Sequence, residues 1–126
     1  MEKETLVAQL VRSLDKHKAS EITVLRVTEV TSLADYFVIA AGSSSTQVRA
    51  LADYVEFELG QQEVKPLRIE GYQTSQWIVL DYGTVVVHLF QTETRQFYDL
   101  EHLWQDGEEV DINSFLENGG QEHEKV

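Results

Sequence analysis

The chain has 126 residues, of which 42% are apolar, enough for one domain with one core and no covalent staples. Cysteine is absent and no apolar run approaches the roughly 20 residues that span a bilayer, which excludes disulfides, thiolate metal sites and a membrane helix. Ten basic residues stand against 22 acidic ones, a formal net charge of -12, so the field of the chain repels free nucleic acid and anionic lipid and attracts basic proteins.

The N-terminus, MEKETLVAQL, lacks the basic-then-apolar layout of a signal peptide, and a cytoplasmic protein is expected. Leu6, Val7, Leu10, Val11 and Leu14 recur at helical spacing and predict a first helix over residues 4–17. Ile22 to Val30 is rich in β-branched residues and predicts a strand. Tyr36 to Ala41 is apolar at both parities, which predicts a central strand covered on both faces. Gly42 opens a turn, and Ser44 with Gln47 three residues on fits a capping box. Val48, Leu51, Ala52, Val55 and Leu59 then form the apolar stripe of a second helix, with Gly60 as its terminator. Pro66 precedes a short strand from Leu67 to Glu70, ended by Gly71.

Residues 76–90 hold two apolar β-branched runs around Gly83 and Thr84, the pattern of a hairpin with a type II′ turn. Residues 97–105 predict a third helix with Phe97, Leu100, Leu103 and Trp104 inward. From Asp106 the chain turns acidic: residues 106–126 carry seven acids and one lysine. Val110, Ile112, Phe115 and Leu116 are able to dock as a short segment, and beyond Glu117 the composition predicts disorder. The element order predicts an α/β fold. One domain spans residues 1–106, a mixed and mostly five-stranded sheet flanked by helices, and residues 107–126 form a partly disordered acidic tail.

A two-residue loop fixes the hairpin register. Tyr82 faces Val85, and one face carries Ile78, Leu80, Tyr82, Val85, Val87 and Leu89, which predicts the core side. The other face places Trp77 opposite Phe90, Val79 opposite His88, and Asp81 opposite Val86. Aromatic anchors among polar groups suit a protein-binding surface. The plainer alternative is that helices cover this face and Asp81 pairs with His88 or Arg95.

Enzymatic readings find little support. Gly42-Ser43, between a strand and a helix, resembles the GS motif of nucleotidyltransferases. That chemistry also needs two carboxylates one residue apart on the following strand to hold metal. Glu56 and Glu58 have the separation but fall in the second helix, roughly 200° apart around its axis. The histidines show no ligand spacing, and no GxSxG elbow is present. No metal or cofactor site is expected, and a nucleotide-binding or nucleotidyltransferase-like enzyme is kept as the alternative.

Three blocks carry a resemblance: ADYFVIAAGSSSTQV from Ala34 to Val48, EGYQTSQWIVLDYGTVVVHLF from Glu70 to Phe90, and RQFYDLEHLW from Arg95 to Trp104. Together they resemble the Iojap/RsfS family of ribosomal silencing factors, over about residues 3–106. The resemblance implies a fold similar to nucleotidyltransferases but without their catalytic carboxylates, and a role that is not enzymatic. It implies binding to the large ribosomal subunit through ribosomal protein L fourteen, steric blockade of subunit joining, and repression of translation under nutrient limitation. A homodimer in the free state and the bacterial branch of the family are also implied. Trp77, Asp81, Tyr82 and His88 match the second block, and Arg95, Tyr98 and Glu101 the third. With Phe90, and with Tyr98 turned about 100° from Phe97, these are the candidate partner-binding residues. Thr84 stands where the family more often has Asp, Ala41 where Thr or Ser is common, and Gln47 where His is common.

Overall fold

The computed structural model describes residues 1–116, apart from the side chain of Leu103. The disorder expected beyond Glu117 and the inward Leu103 lie outside the described residues. In chain order the elements are α1 (Lys3–Lys16), β1 (Ser20–Arg26), β2 (Tyr36–Gly42), α2 (Ser45–Gly60), β3 (Arg68–Glu70), β4 (Trp77–Asp81), β5 (Val85–Gln91), α3 (Thr92–Tyr98), α4 (Leu100–Leu103) and β6 (Glu108–Val110). The strands form one sheet in the order β3-β4-β5-β2-β1-β6. β2 and β5 run parallel, and the other neighbours pair antiparallel.

The α/β architecture matches the sequence reading, with six strands where about five were expected. The sixth comes from the segment read as tail. Glu108–Val110 pairs with Val24–Arg26, and Val110, Ile112, Phe115 and Leu116 pack against the main core. Arg12 Nε donates to the Phe115 carbonyl at 3.1 Å and ties that segment to α1. A short apolar cluster in an acidic stretch is enough to dock one edge strand.

Helices cover both sides of the sheet. On one side α1 and α2 bury Leu10, Leu14, Leu51 and Leu59 against Val38, Leu80, Val87 and Leu89. On the other, Leu100 of α4 and Trp104 close over Leu25, Phe37, Ile39 and Phe90. Every residue of β2 is buried, as its double-sided apolar pattern requires. The hairpin has the expected register, from Trp77 opposite Phe90 to Asp81 opposite Val86. Tyr82 N–H donates to the Val85 carbonyl at 2.9 Å, and Gly83 takes the positive φ that the tight turn demands.

Two elements depart from the reading. β1 stops at Arg26, although β-branched residues continue to Val30, because the Val27 carbonyl accepts the amides of Val30 and Thr31 and the chain turns. The third helix starts at Thr92 and breaks at Asp99, which sits at φ 48° and caps α4 through the amide of His102. The break cancels the continuous stripe expected over residues 97–105. Leu100 is buried as expected, but Phe97 is 82% exposed.

Candidate functional site

Residues opposite one another across a sheet share a face, so the side of the sheet under α3 and α4 is built from three rows. One runs Leu25, Phe37, Val86, Asp81, Arg68. The next runs Thr23, Ile39, His88, Val79, Glu70, and the third Ala41, Phe90, Trp77. The two helices close over β1, β2 and β5 and reach β4 at its start, where Tyr98 meets Trp77. The first two rows run out across half-buried β4 residues to the exposed edge strand β3, and the third ends at half-buried Trp77 on β4.

At that margin lies an aromatic cluster. Trp77 stacks on Phe90 at 5.0 Å between ring centroids and meets Tyr98 at 4.8 Å. Phe97 stands edge-on to Tyr98 at 5.2 Å. Phe90 is fully buried beneath, Trp77 is half-buried, and Tyr98 is 49% exposed. His88 is buried between Phe37 and Trp77, and burial pulls its imidazole down to about 4, which leaves the ring neutral at neutral pH. The juxtaposition of Trp77 and Tyr98 follows from the hairpin register and from Tyr98 ending α3.

Arg95 and Glu101 stand behind this cluster. The Arg95 side chain is buried, and its Nε and Nη2 donate to Glu101 Oε2 at 3.1 and 2.6 Å. Its Nη2 also reaches Thr23 Oγ1 at 3.0 Å, and its Nη1 donates to the Glu21 carbonyl. One guanidinium thus ties α3 and α4 to an irregular stretch of β1 where Glu21 takes positive φ.

Asp81 and Tyr82 stand at the far end of β4, roughly 13 Å along the strand from Trp77. Asp81 Oδ1 accepts the Gly83 amide at 2.8 Å and Oδ2 accepts from Arg68 at 3.2 Å, so its partners are neither His88 nor Arg95. Tyr82 lies on the core side, where burial and then the charge of Glu56 raise its phenol to about 12. Of the candidate residues the fold therefore gathers Trp77, His88, Phe90, Arg95, Tyr98 and Glu101, and leaves Asp81 and Tyr82 at the turn. Phe97 joins the exposed cluster unannounced by the sequence, because only the break at Asp99 turns it outward.

The Gly42 turn is closed by its own side chains. Ser44 Oγ accepts the Gln47 amide at 3.1 Å, and Gln47 Oε1 accepts from Ser43 N–H at 2.6 Å and Ser43 Oγ at 3.0 Å. Glu58 is held in the seam between the helices by Ser13, Lys16 and His17, turned away from Glu56. Among the described residues no group of three or more histidines and carboxylates is placed to hold a metal ion.

Residues 1–126 match the family model described as "Ribosomal silencing factor during starvation". The chain is 39% identical over 108 residues to the ribosomal silencing factor RsfS of Zymomonas mobilis, covering 86% of this chain and 81% of the relative. It is 33% identical over 116 residues to RsfS of Halalkalibacterium halodurans, covering 92% and 99%. It is 33% identical over 101 residues to mouse mitochondrial assembly of ribosomal large subunit protein 1, covering 78% of this chain and 44% of that one. A crystal structure of a Chromobacterium violaceum protein superposes with a TM-score of 0.81 at 33% identity, covering 83% and 88% of the two chains.

Proposed function

The chain belongs to the RsfS family of ribosomal silencing factors, and on that premise we propose that it docks on the large ribosomal subunit through the basic ribosomal protein L fourteen. Bound there, it stands in the way of the small subunit and represses translation under nutrient limitation. It works in the cytoplasm as a binding module without catalysis, and pairs with a second copy when free. Residues 1–106 form the binding unit, braced by β6 and by Ile112, Phe115 and Leu116 after it.

The observation that carries this reading is the contact of Trp77 with Tyr98 at 4.8 Å on a half-open sheet face of a chain with net charge -12. Aromatic side chains of this kind dominate interface energetics, and an acidic field speeds the approach of a basic partner. Trp77, Tyr98 and Glu101 make contact, with Phe97 beside them. Phe90, His88 and Arg95 hold that surface from beneath, and Asp81 and Tyr82 brace the hairpin. The names of the bacterial and mitochondrial relatives support a ribosomal target.

The test is co-sedimentation of the full chain with purified subunits, followed by a subunit-joining assay. Pelleting with large and not small subunits, and slower joining, is the expected result. Equal pelleting with both, or unchanged joining at saturation, would refute the reading.

A further inference from the structure

On the other side of the sheet, we infer that the outer surface of α2 is a second docking site, for a basic protein segment that presents an apolar side chain flanked by lysine or arginine. The core positions of α2 are Val48, Leu51, Ala52, Val55 and Leu59. Phe57 lies roughly opposite that stripe around the helix, where an amphipathic helix normally carries polar residues, and it is 65% exposed. One turn back, Tyr54 is held rigid by stacking on His17 at 3.7 Å. Phe57 lines a depression of about 480 Å³ with Asp53, Glu56, Gly60 and Gln61, a lining with two acids and no base.

Gly60 accounts for the hollow. It is the last residue of α2, its φ is not positive, and Gln61 after it continues in the right-handed region. A Cβ on Gly60 would meet nothing within 4 Å. Neither backbone geometry nor packing calls for glycine, which is a poorer helix former than alanine. What it does is keep space open beside Phe57. A second copy of this chain is a poor occupant, because Asp53 and Glu56 would face their own counterparts in a protein of net charge -12. A basic segment satisfies both the acids and the exposed ring. The sheet separates α2 from the Trp77–Tyr98 cluster, so both surfaces can be occupied at once.

The experiment titrates the ¹⁵N-labelled full chain with a short amphipathic helical peptide of leucine and lysine, and in parallel with a polylysine peptide of equal charge. Saturable amide shifts centred on residues 53–61 are expected with the amphipathic peptide. Phe57→Ser and Gly60→Leu, both at exposed or open positions, should weaken binding by ~10-fold or more while melting cooperatively. Tyr98→Ala should leave the titration unchanged, which separates this result from the fate of ribosome docking. Shifts centred on Trp77 and Tyr98, or spread over all acidic residues as with polylysine, would overturn the inference. Unchanged affinity in both α2 variants would do the same, as would shifts at residues 53–61 that grow with protein concentration in the absence of peptide.

Discussion

The indole N–H of Trp77 donates to Nδ1 of His88 at 3.1 Å. An indole nitrogen can only donate, so Nδ1 is the bare nitrogen and the imidazole proton rides on Nε2. That bond ties the aromatic cluster on β4 to the buried floor on β5. Trp77→Phe keeps a ring against Phe90 and Tyr98 but removes the donor, leaving a buried nitrogen unpaired, which costs about 1–3 kcal/mol. Trp77→Ala removes the stacking as well. Denaturation midpoints should rank wild type above Trp77→Phe above Trp77→Ala. Identical midpoints for wild type and Trp77→Phe would show that the bond adds nothing.

Tyr98 separates binding from folding better than Trp77 does, because half of it is already in water. Tyr98→Ala should shift the melting temperature little and cost about 2–4 kcal/mol of ribosome affinity, as truncation of an interface anchor does. Leu80→Ala removes a fully buried side chain on the α2 side of the hairpin and should cost about 2–5 kcal/mol of stability instead. Co-sedimentation and thermal melts on the same two variants decide this. Undiminished binding of Tyr98→Ala would place the contact surface elsewhere.

The parts legible in the sequence were those fixed by local pattern. The glycine turn at Gly83 set the register of β4 and β5, and with it which residues face α2 and which face α3. The double-sided apolar run from Tyr36 marked the central strand. What pattern concealed was how far the second face is covered. The sequence left open whether helices cover His88 and Phe90; in the structure α4 and Trp104 bury both, while Val86 on the same strand and the facing residues of β4 are only partly covered. The deciding event is the left-handed Asp99 between two short helices, a single backbone dihedral that apolar periodicity does not encode. The surroundings of Arg95 were hidden in the same way: its four hydrogen bonds go to Glu101 of α4 and to Glu21 and Thr23 of β1, the last two remote in sequence from α3.

Arg95 is buried and bonds Glu101, Thr23 and the Glu21 carbonyl, which anchors α3 and α4 to β1 behind the cluster. Arg95→Ala strips these acceptors of their cation and should cost about 1–3 kcal/mol, since partly exposed Glu101 regains water when its partner is lost. Arg95→Lys should recover little, since one ammonium cannot span partners on two elements. Hydrogen exchange should show α3 and α4 opening before the α1–α2 side of the sheet. Uniform opening of the whole domain would mean that Arg95 contributes to global stability alone.

Buried His88 and partly buried Glu58 should give the protein an acid response in two windows. His88 titrates at about 4 in the fold, depressed by burial, against about 6.5 in an unfolded chain. Between those values the unfolded state binds the proton and the folded state does not, so stability falls as pH drops from about 6.5 to 4, by up to about 3 kcal/mol. For Glu58, burial alone would raise the carboxyl. The hydrogen bonds from His17, Ser13 and Lys16 outweigh it and bring the group down to about 2. Its contribution is present above its usual value near 4.5 and is lost between there and about 2. His88→Gln keeps an acceptor for the Trp77 indole and does not titrate, so it should flatten the upper window and leave the lower one. Glu58→Gln should do the reverse. Urea midpoints of the three proteins from pH 7 to 3 test the assignment, and it fails if the His88→Gln curve retains the wild-type slope between pH 6.5 and 4.5.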